Sequence, residues 1–194
     1  MNEIIFATFN NHKVFEINKI INTYNIVSLK DINFSEEIIE NDNTFIGNSL
    51  IKCKTVYQRY KKPVLADDSG LCVNQLNGDP GIFSARYGSV KFNDKERYQF
   101  LLSQLDKNND LSASFVCALV LFINPNRIYI AQEEIKGLIT FDPQGNNGFG
   151  YDPIFYLNEY GKTMAELSDK EKNLISHRGK AARILKNILE ENKI

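Results

Sequence analysis

The chain has 194 residues, 43% hydrophobic and 24% charged, with a net charge of -1. Those values suit one soluble globular domain and argue against a broad nucleic-acid-binding surface. Three cysteines, Cys53, Cys72 and Cys117, are far apart, form no CxxC pair and have apolar neighbours, so they read as reduced thiols of a cytoplasmic protein rather than as a disulfide or zinc set. The start has no signal-peptide layout and no apolar run is long enough to span a bilayer, so no membrane association is expected.

Residues 3–8, EIIFAT, read as a first strand. A polar loop, Thr8-Phe9-Asn10-Asn11-His12-Lys13, then leads into a helix with Val14, Ile17, Ile20 and Ile21 on one face. Free N–H groups at that helix start, with the Lys13 charge, make a sensible anion site, although GxxxxGK[ST] is absent. A plain strand–helix turn capped by Asn10 explains the same residues. A second strand is predicted at 25–29, an acidic irregular stretch at 31–43, and a helix from Thr44 to about Tyr60. Lys52 and Lys54 fall on different faces of that helix, so one of them points towards any site it borders.

The segment 64–88 organises the expectation. A short apolar strand, 63–66, is predicted to end abruptly in Asp67-Asp68-Ser69-Gly70. Two neighbouring carboxylates need positive partners, and a divalent cation carrying phosphates is one. Asn93 or Asp94 is expected to cap a helix over 95–105. Residues 112–123 and 127–140 are expected to form a long hairpin, with Gly137 at a bend or bulge. A glycine-rich loop follows at 142–156. In it Phe149 and Tyr151 could stack on a flat ring, and Asp152 could accept from ring or ribose donors; a wide turn with aromatics in the core fits equally well. A short helix at 164–167 and a last helix from about Arg178 to Glu191 complete the chain. A His177-Arg178 pair at a helix start suits a carbonyl or a phosphate.

Ordered blocks cover nearly the whole chain: 8–13, Thr44-Phe45 with Asn48 and Lys52, LADDSGL at 65–71, GDPGIFSARYG at 78–88, GFGYDPIF at 148–155, GKTMAEL at 161–167 and KNLISHRGKA at 172–181. Together they resemble the inosine triphosphate pyrophosphatase family, the HAM1/RdgB-like non-canonical purine NTP pyrophosphatases. The resemblance implies an α/β fold: one ITPase-like domain over 1–194, with a long twisted mixed β-sheet, flanking helices, and two lobes around a central cleft. It also implies a homodimer, magnesium as cofactor, and hydrolysis of ITP, dITP and XTP to the monophosphate and pyrophosphate. Carried over, Thr8, Phe9, Asn10, Asn11, His12 and Lys13 grip the triphosphate. Asp68 is general base and magnesium contact, with Asp67 beside it; Glu40 is the second metal acid, Lys52 faces the phosphates and Ser69 touches substrate. Phe149, Gly150, Tyr151 and Asp152 shape the base pocket, while Lys172, His177 and Arg178 read the oxygenated edge of the purine. Three positions depart from the pattern: Phe9 for a glycine, Gly47 for a glutamate and Gln144 for an arginine. A catalytically weakened nucleotide-binding protein of the same fold is the alternative.

Overall fold

The computed structural model describes residues 3–192. Isoleucine-rich β1 (Glu3–Phe6) pairs in parallel with β2 (Asn25–Ser28) and with β3 (Val64–Val73). β4 (Ser112–Asn124) and β5 (Arg127–Ile139) are joined by the tight Pro125-Asn126 turn. β6 (Phe155–Leu157) and β7 (Lys162–Thr163) continue antiparallel from β5. The order β2-β1-β3-β4-β5-β6-β7 makes one mixed sheet of seven strands. The helices are α1 (Asn11–Ile20), α2 (Phe45–Tyr60), α3 (Asp94–Ser103), α4 (Asp169–Ile175) and α5 (His177–Asn192). No helix among the described residues is long and apolar enough to cross a membrane.

The chain divides into two compact units, and the boundary falls within β3, β4 and β5. The first comprises 3–68, 117–133 and 177–192. Its strands are covered on both faces, as parallel strands require. Ile4, Phe6, Leu65 and Leu119 pack with Ile17 and Ile21 of α1 and with Leu185 and Leu189 of α5. Their alternates Ile5, Ala7, Val64, Ala66 and Val120 pack with Cys53 and Val56 of α2. Period-two alternation therefore assigns odd and even positions of β3 to different helical layers.

The second unit comprises 69–116 and 134–176. Leu71, Val73, Leu101, Phe115, Ile135, Phe155, Met164 and Leu167 form its core, with the Phe115 and Phe155 ring centroids 4.5 Å apart. Asn93 caps α3 and Ser168 caps α4, each closing a capping box with the glutamate three residues on, Glu96 and Glu171.

One expectation needs correction. β3 does not stop at Ala66; it runs through the acids and Gly70 to Val73. The strand continues because each carboxylate finds partners in its own layer, and because Gly70 lets the chain at Gly81 and Ser84 come close: a Cβ there would lie 2.1 Å from the Gly81 carbonyl oxygen. Gly137 likewise answers a close approach, since its Cβ would lie 2.6 Å from the Tyr156 oxygen and 2.8 Å from the Phe155 ring. All three cysteines are free thiols, Cys53 and Cys117 buried and Cys72 half-buried.

Candidate active site

The loop between β1 and α1 is held from within. Thr8 Oγ1 accepts from the Asn10 N–H at 3.1 Å. Asn10 Oδ1 accepts from the N–H groups of His12 and Lys13 at 2.9 and 3.3 Å, so Asn10 is the N-cap. Phe9 is 47% exposed. Its backbone stays out of the left-handed region, which among described non-glycine residues only Asn33, Lys61 and Asn77 enter, so a side chain replaces glycine here without strain. Asn11 and His12 are exposed at the first turn of α1, and Asn11 Oδ1 accepts from Lys30 at 3.0 Å.

Asp67 and Asp68 are neighbours in sequence but face opposite layers. Asp67, 1% exposed, lies on the side of α1 and α5. Lys13 Nζ donates to its Oδ1; Arg178 Nε donates to its Oδ2 at 2.9 Å, and the Cys117 thiol lies 3.0 Å from the same oxygen. Arg178 Nη1 also reaches Glu16 Oε2 at 2.5 Å. Burial drives the Asp67 carboxyl up, but the Arg178 guanidinium and then the Lys13 ammonium more than offset it and hold Asp67 well below the usual carboxylate range.

Asp68 points to the side of α2. Asn48 Nδ2 donates to its Oδ2 at 3.2 Å, and Lys52 Nζ lies 3.8 Å from its Oδ1. The same ammonium donates to Glu40 Oε2 at 2.8 Å. Lys52 is buried and Lys54 exposed, which settles which α2 lysine faces the acids. Burial raises the Asp68 carboxyl above its ordinary value; Lys52 and Lys13 oppose this, while Glu40 and Asp67 add to it. The pair is thus driven in opposite directions, Asp67 by its two cations and Asp68 by burial.

Glu40 and Asp68 are the carboxylates that would hold a cation here, and the Lys52 ammonium lies against both. Among the described residues no three His, Cys, Asp or Glu side chains gather into a ready metal site. Magnesium would be the cation such donors suit, because it takes hard oxygen ligands and is commonly held by one or two carboxylates with substrate phosphates and water.

In the second unit Asp152, 3% exposed, organises the glycine-rich loop. Its Oδ2 accepts from Lys172 Nζ at 2.7 Å and from the Phe149 N–H at 2.9 Å. Lys172 Nζ lies 5.0 Å from the Phe149 ring centroid. Gly148 has φ +79°, and a Cβ there would lie 2.0 Å from Asp152 Oδ2, so glycine is required on both counts. Asp94 at the start of α3 accepts from the Gly150 N–H at 2.7 Å, and the Tyr151 hydroxyl donates to the Ser84 carbonyl at 2.9 Å. Ser69 is half-buried on β3. Gln144 is exposed and bonds Asp142 at 2.9 Å.

Asp152, foreseen as an acceptor for ring or ribose, accepts through Oδ2 from Lys172 and from its own loop. Arg178, grouped with the base readers, has Nε on Asp67 and Nη1 on Glu16. His177 is buried at the start of α5. Sequence reading placed none of Glu16, Asn48, Cys117 or Asp94 in the site. Spacing could have found two of them: Glu16 is three residues beyond Lys13, and Thr44, Asn48 and Lys52 are successive i,i+4 neighbours on α2.

The model of the Ham1 family matches residues 4–188, and the chain belongs to that family. It is 45% identical to the dITP/XTP pyrophosphatase of Treponema denticola over 182 residues, 92% of this chain and 94% of the relative. It is 42% identical to the dITP/XTP pyrophosphatase of Bacillus licheniformis over 195 residues, 98% and 100% of the two. Among solved structures, a HAM1 protein from Coxiella burnetii superposes with a TM-score of 0.91 at 38% identity, covering 98% of this chain and 100% of that one. The Ham1 protein of Staphylococcus aureus gives 0.90 at 36% identity, again over 98% and 100%.

Proposed function

We propose that this protein hydrolyses non-canonical purine nucleoside triphosphates, ITP, dITP and XTP, to the monophosphate and pyrophosphate. The relatives that match it along their whole length carry the name dITP/XTP pyrophosphatase. The observation that carries the mechanism is the opposed pair Asp67 and Asp68. Asp68 accepts a proton from a water as its oxygen bonds to the α-phosphorus. The bond from that phosphorus to the bridging oxygen breaks, and the electron pair leaves with pyrophosphate. Lys52 and Lys13 offset charge on the phosphates, and the positive end of the α1 dipole favours the same anion. Glu40 and Asp68 would hold magnesium, which when bound would supply further charge neutralisation at the phosphates.

Purine choice follows from donor chemistry. Lys172 is an obligate donor, held by Asp152 beside the Phe149 ring. A C6 carbonyl oxygen, as in hypoxanthine and xanthine, accepts from it; the C6 amino group of adenine sets donor against donor. That mismatch is worth roughly ten- to a hundredfold in kcat/KM. Pyrophosphate release from ITP, XTP, GTP and ATP, with magnesium and with EDTA, tests the reading. ITP and XTP should exceed ATP by about tenfold or more, and EDTA should stop turnover; equal rates for all four substrates would refute the proposal. Lys172→Met should raise KM for ITP about tenfold and narrow the ITP-to-ATP ratio. An unchanged ratio would remove Lys172 from base recognition. A weakened-binder reading leans on Phe9 and Gly47, and Phe9 is accommodated without strain.

A further inference from the structure

Asn48 is 1% exposed in the first turn of α2. Its Oδ1 accepts from the Asp42 main-chain N–H at 3.0 Å, and its Nδ2 donates to Asp68 Oδ2 at 3.2 Å. A main-chain N–H can only donate, so the amide has one orientation: oxygen towards Asp42, nitrogen towards Asp68. Asn48 therefore ties Asp68 Oδ2 to α2, while Oδ1 lies on the side of Lys52.

The far end of this chain of bonds is also fixed. Thr44 is the N-cap of α2, and its Oγ1 accepts from the Gly47 N–H at 2.9 Å. A capping box would add a carboxylate at position 47 reaching back to the Thr44 N–H. Gly47 has no side chain. Asp42 Oδ1 takes that bond instead, at 2.8 Å, and accepts from the Thr44 hydroxyl at 2.7 Å. A Cβ at 47 would lie 2.0 Å from Asp42 Cγ, so the Asp42 carboxylate fills the hollow that glycine leaves.

We propose that Asn48 is a positioning residue for Asp68, and that Asp42, standing in for the missing side chain at 47, holds Asn48 in register. The proposal rests on the reading of Asp68 as the general base. It implies that Asp42 and Gly47 form a matched pair: an acid at 42 requires glycine at 47, and an acid at 47 can replace Asp42.

Steady-state ITP hydrolysis and thermal melting of the full chain test it. Asn48→Ala should lower kcat roughly ten- to a hundredfold with KM within about threefold, because it removes a hydrogen bond to a charged group rather than a substrate contact. Asp42→Ala should lower kcat severalfold, and Asp42→Ala/Gly47→Glu should restore it to within about twofold, whereas Gly47→Glu alone should be as damaging as Asp42→Ala. If Asn48→Ala does not fold, the Asp42 and Gly47 cycle decides. Wild-type kcat in soluble Asn48→Ala, or Gly47→Glu acting alike with and without Asp42, overturns the proposal. A wild-type protein inactive on every purine triphosphate instead refutes the functional reading, and the positioning role with it.

Discussion

Asp68→Asn is expected to lower ITP turnover by roughly a thousandfold, and within about tenfold of that figure, while the melting temperature stays near that of the wild type. Asparagine keeps the shape of the side chain and can still accept from Asn48 Nδ2 through its own oxygen. It cannot take a proton from water, and it removes one of the two carboxylates that face Lys52. The fold loses little, because burial already disfavours the ionised form of Asp68 and asparagine fills the same space. Pyrophosphate release and a thermal melt on the same preparation check both halves. Near-normal turnover would mean that another group is the base. Asp67→Asn offers the contrast: it removes the charge that answers Lys13 and Arg178, so its damage should appear first in stability.

Arg178→Ala is expected to destabilise the protein by about 3–5 kcal/mol, because breaking a buried pair leaves its partner uncompensated. Both partners are buried: Asp67 at 2.9 Å and Glu16 at 2.5 Å. For a chain of this size that is roughly 6–20 °C in melting temperature. Arg178→Lys should recover only part of the loss, since one ammonium cannot meet the fork geometry that the guanidinium uses on two carboxylates. Loss of purine selectivity with an unchanged melting temperature would overturn this, and would make Arg178 a base reader as the family resemblance implies. Thermal denaturation beside the ITP-to-ATP ratio separates the outcomes.

Much of this was legible in local chemistry. Apolar runs marked β1 and β4, the turn after β4 marked β5, helical periodicity marked α1, and the expected bounds of α2 and α5 agree to within a residue or two. The capping roles of Asn10, Thr44 and Asn93 follow from side chains that reach only their own next turn. α4, β6 and β7 were not foreseen; runs of seven, three and two residues are too short for a period to show.

The amino-acid sequence by itself determined that Asp67 and Asp68 are adjacent, that lysines stand at 13, 52 and 172, and that glycine-rich stretches fall at 78–88 and 145–150. Only the tertiary structure decided that the two acids work apart. A strand alternates its side chains, so one backbone step placed Asp67 against α1 and α5 and Asp68 against α2. Their partners come from segments up to 111 residues distant, and no local signal encodes which helix will cover which face of a strand.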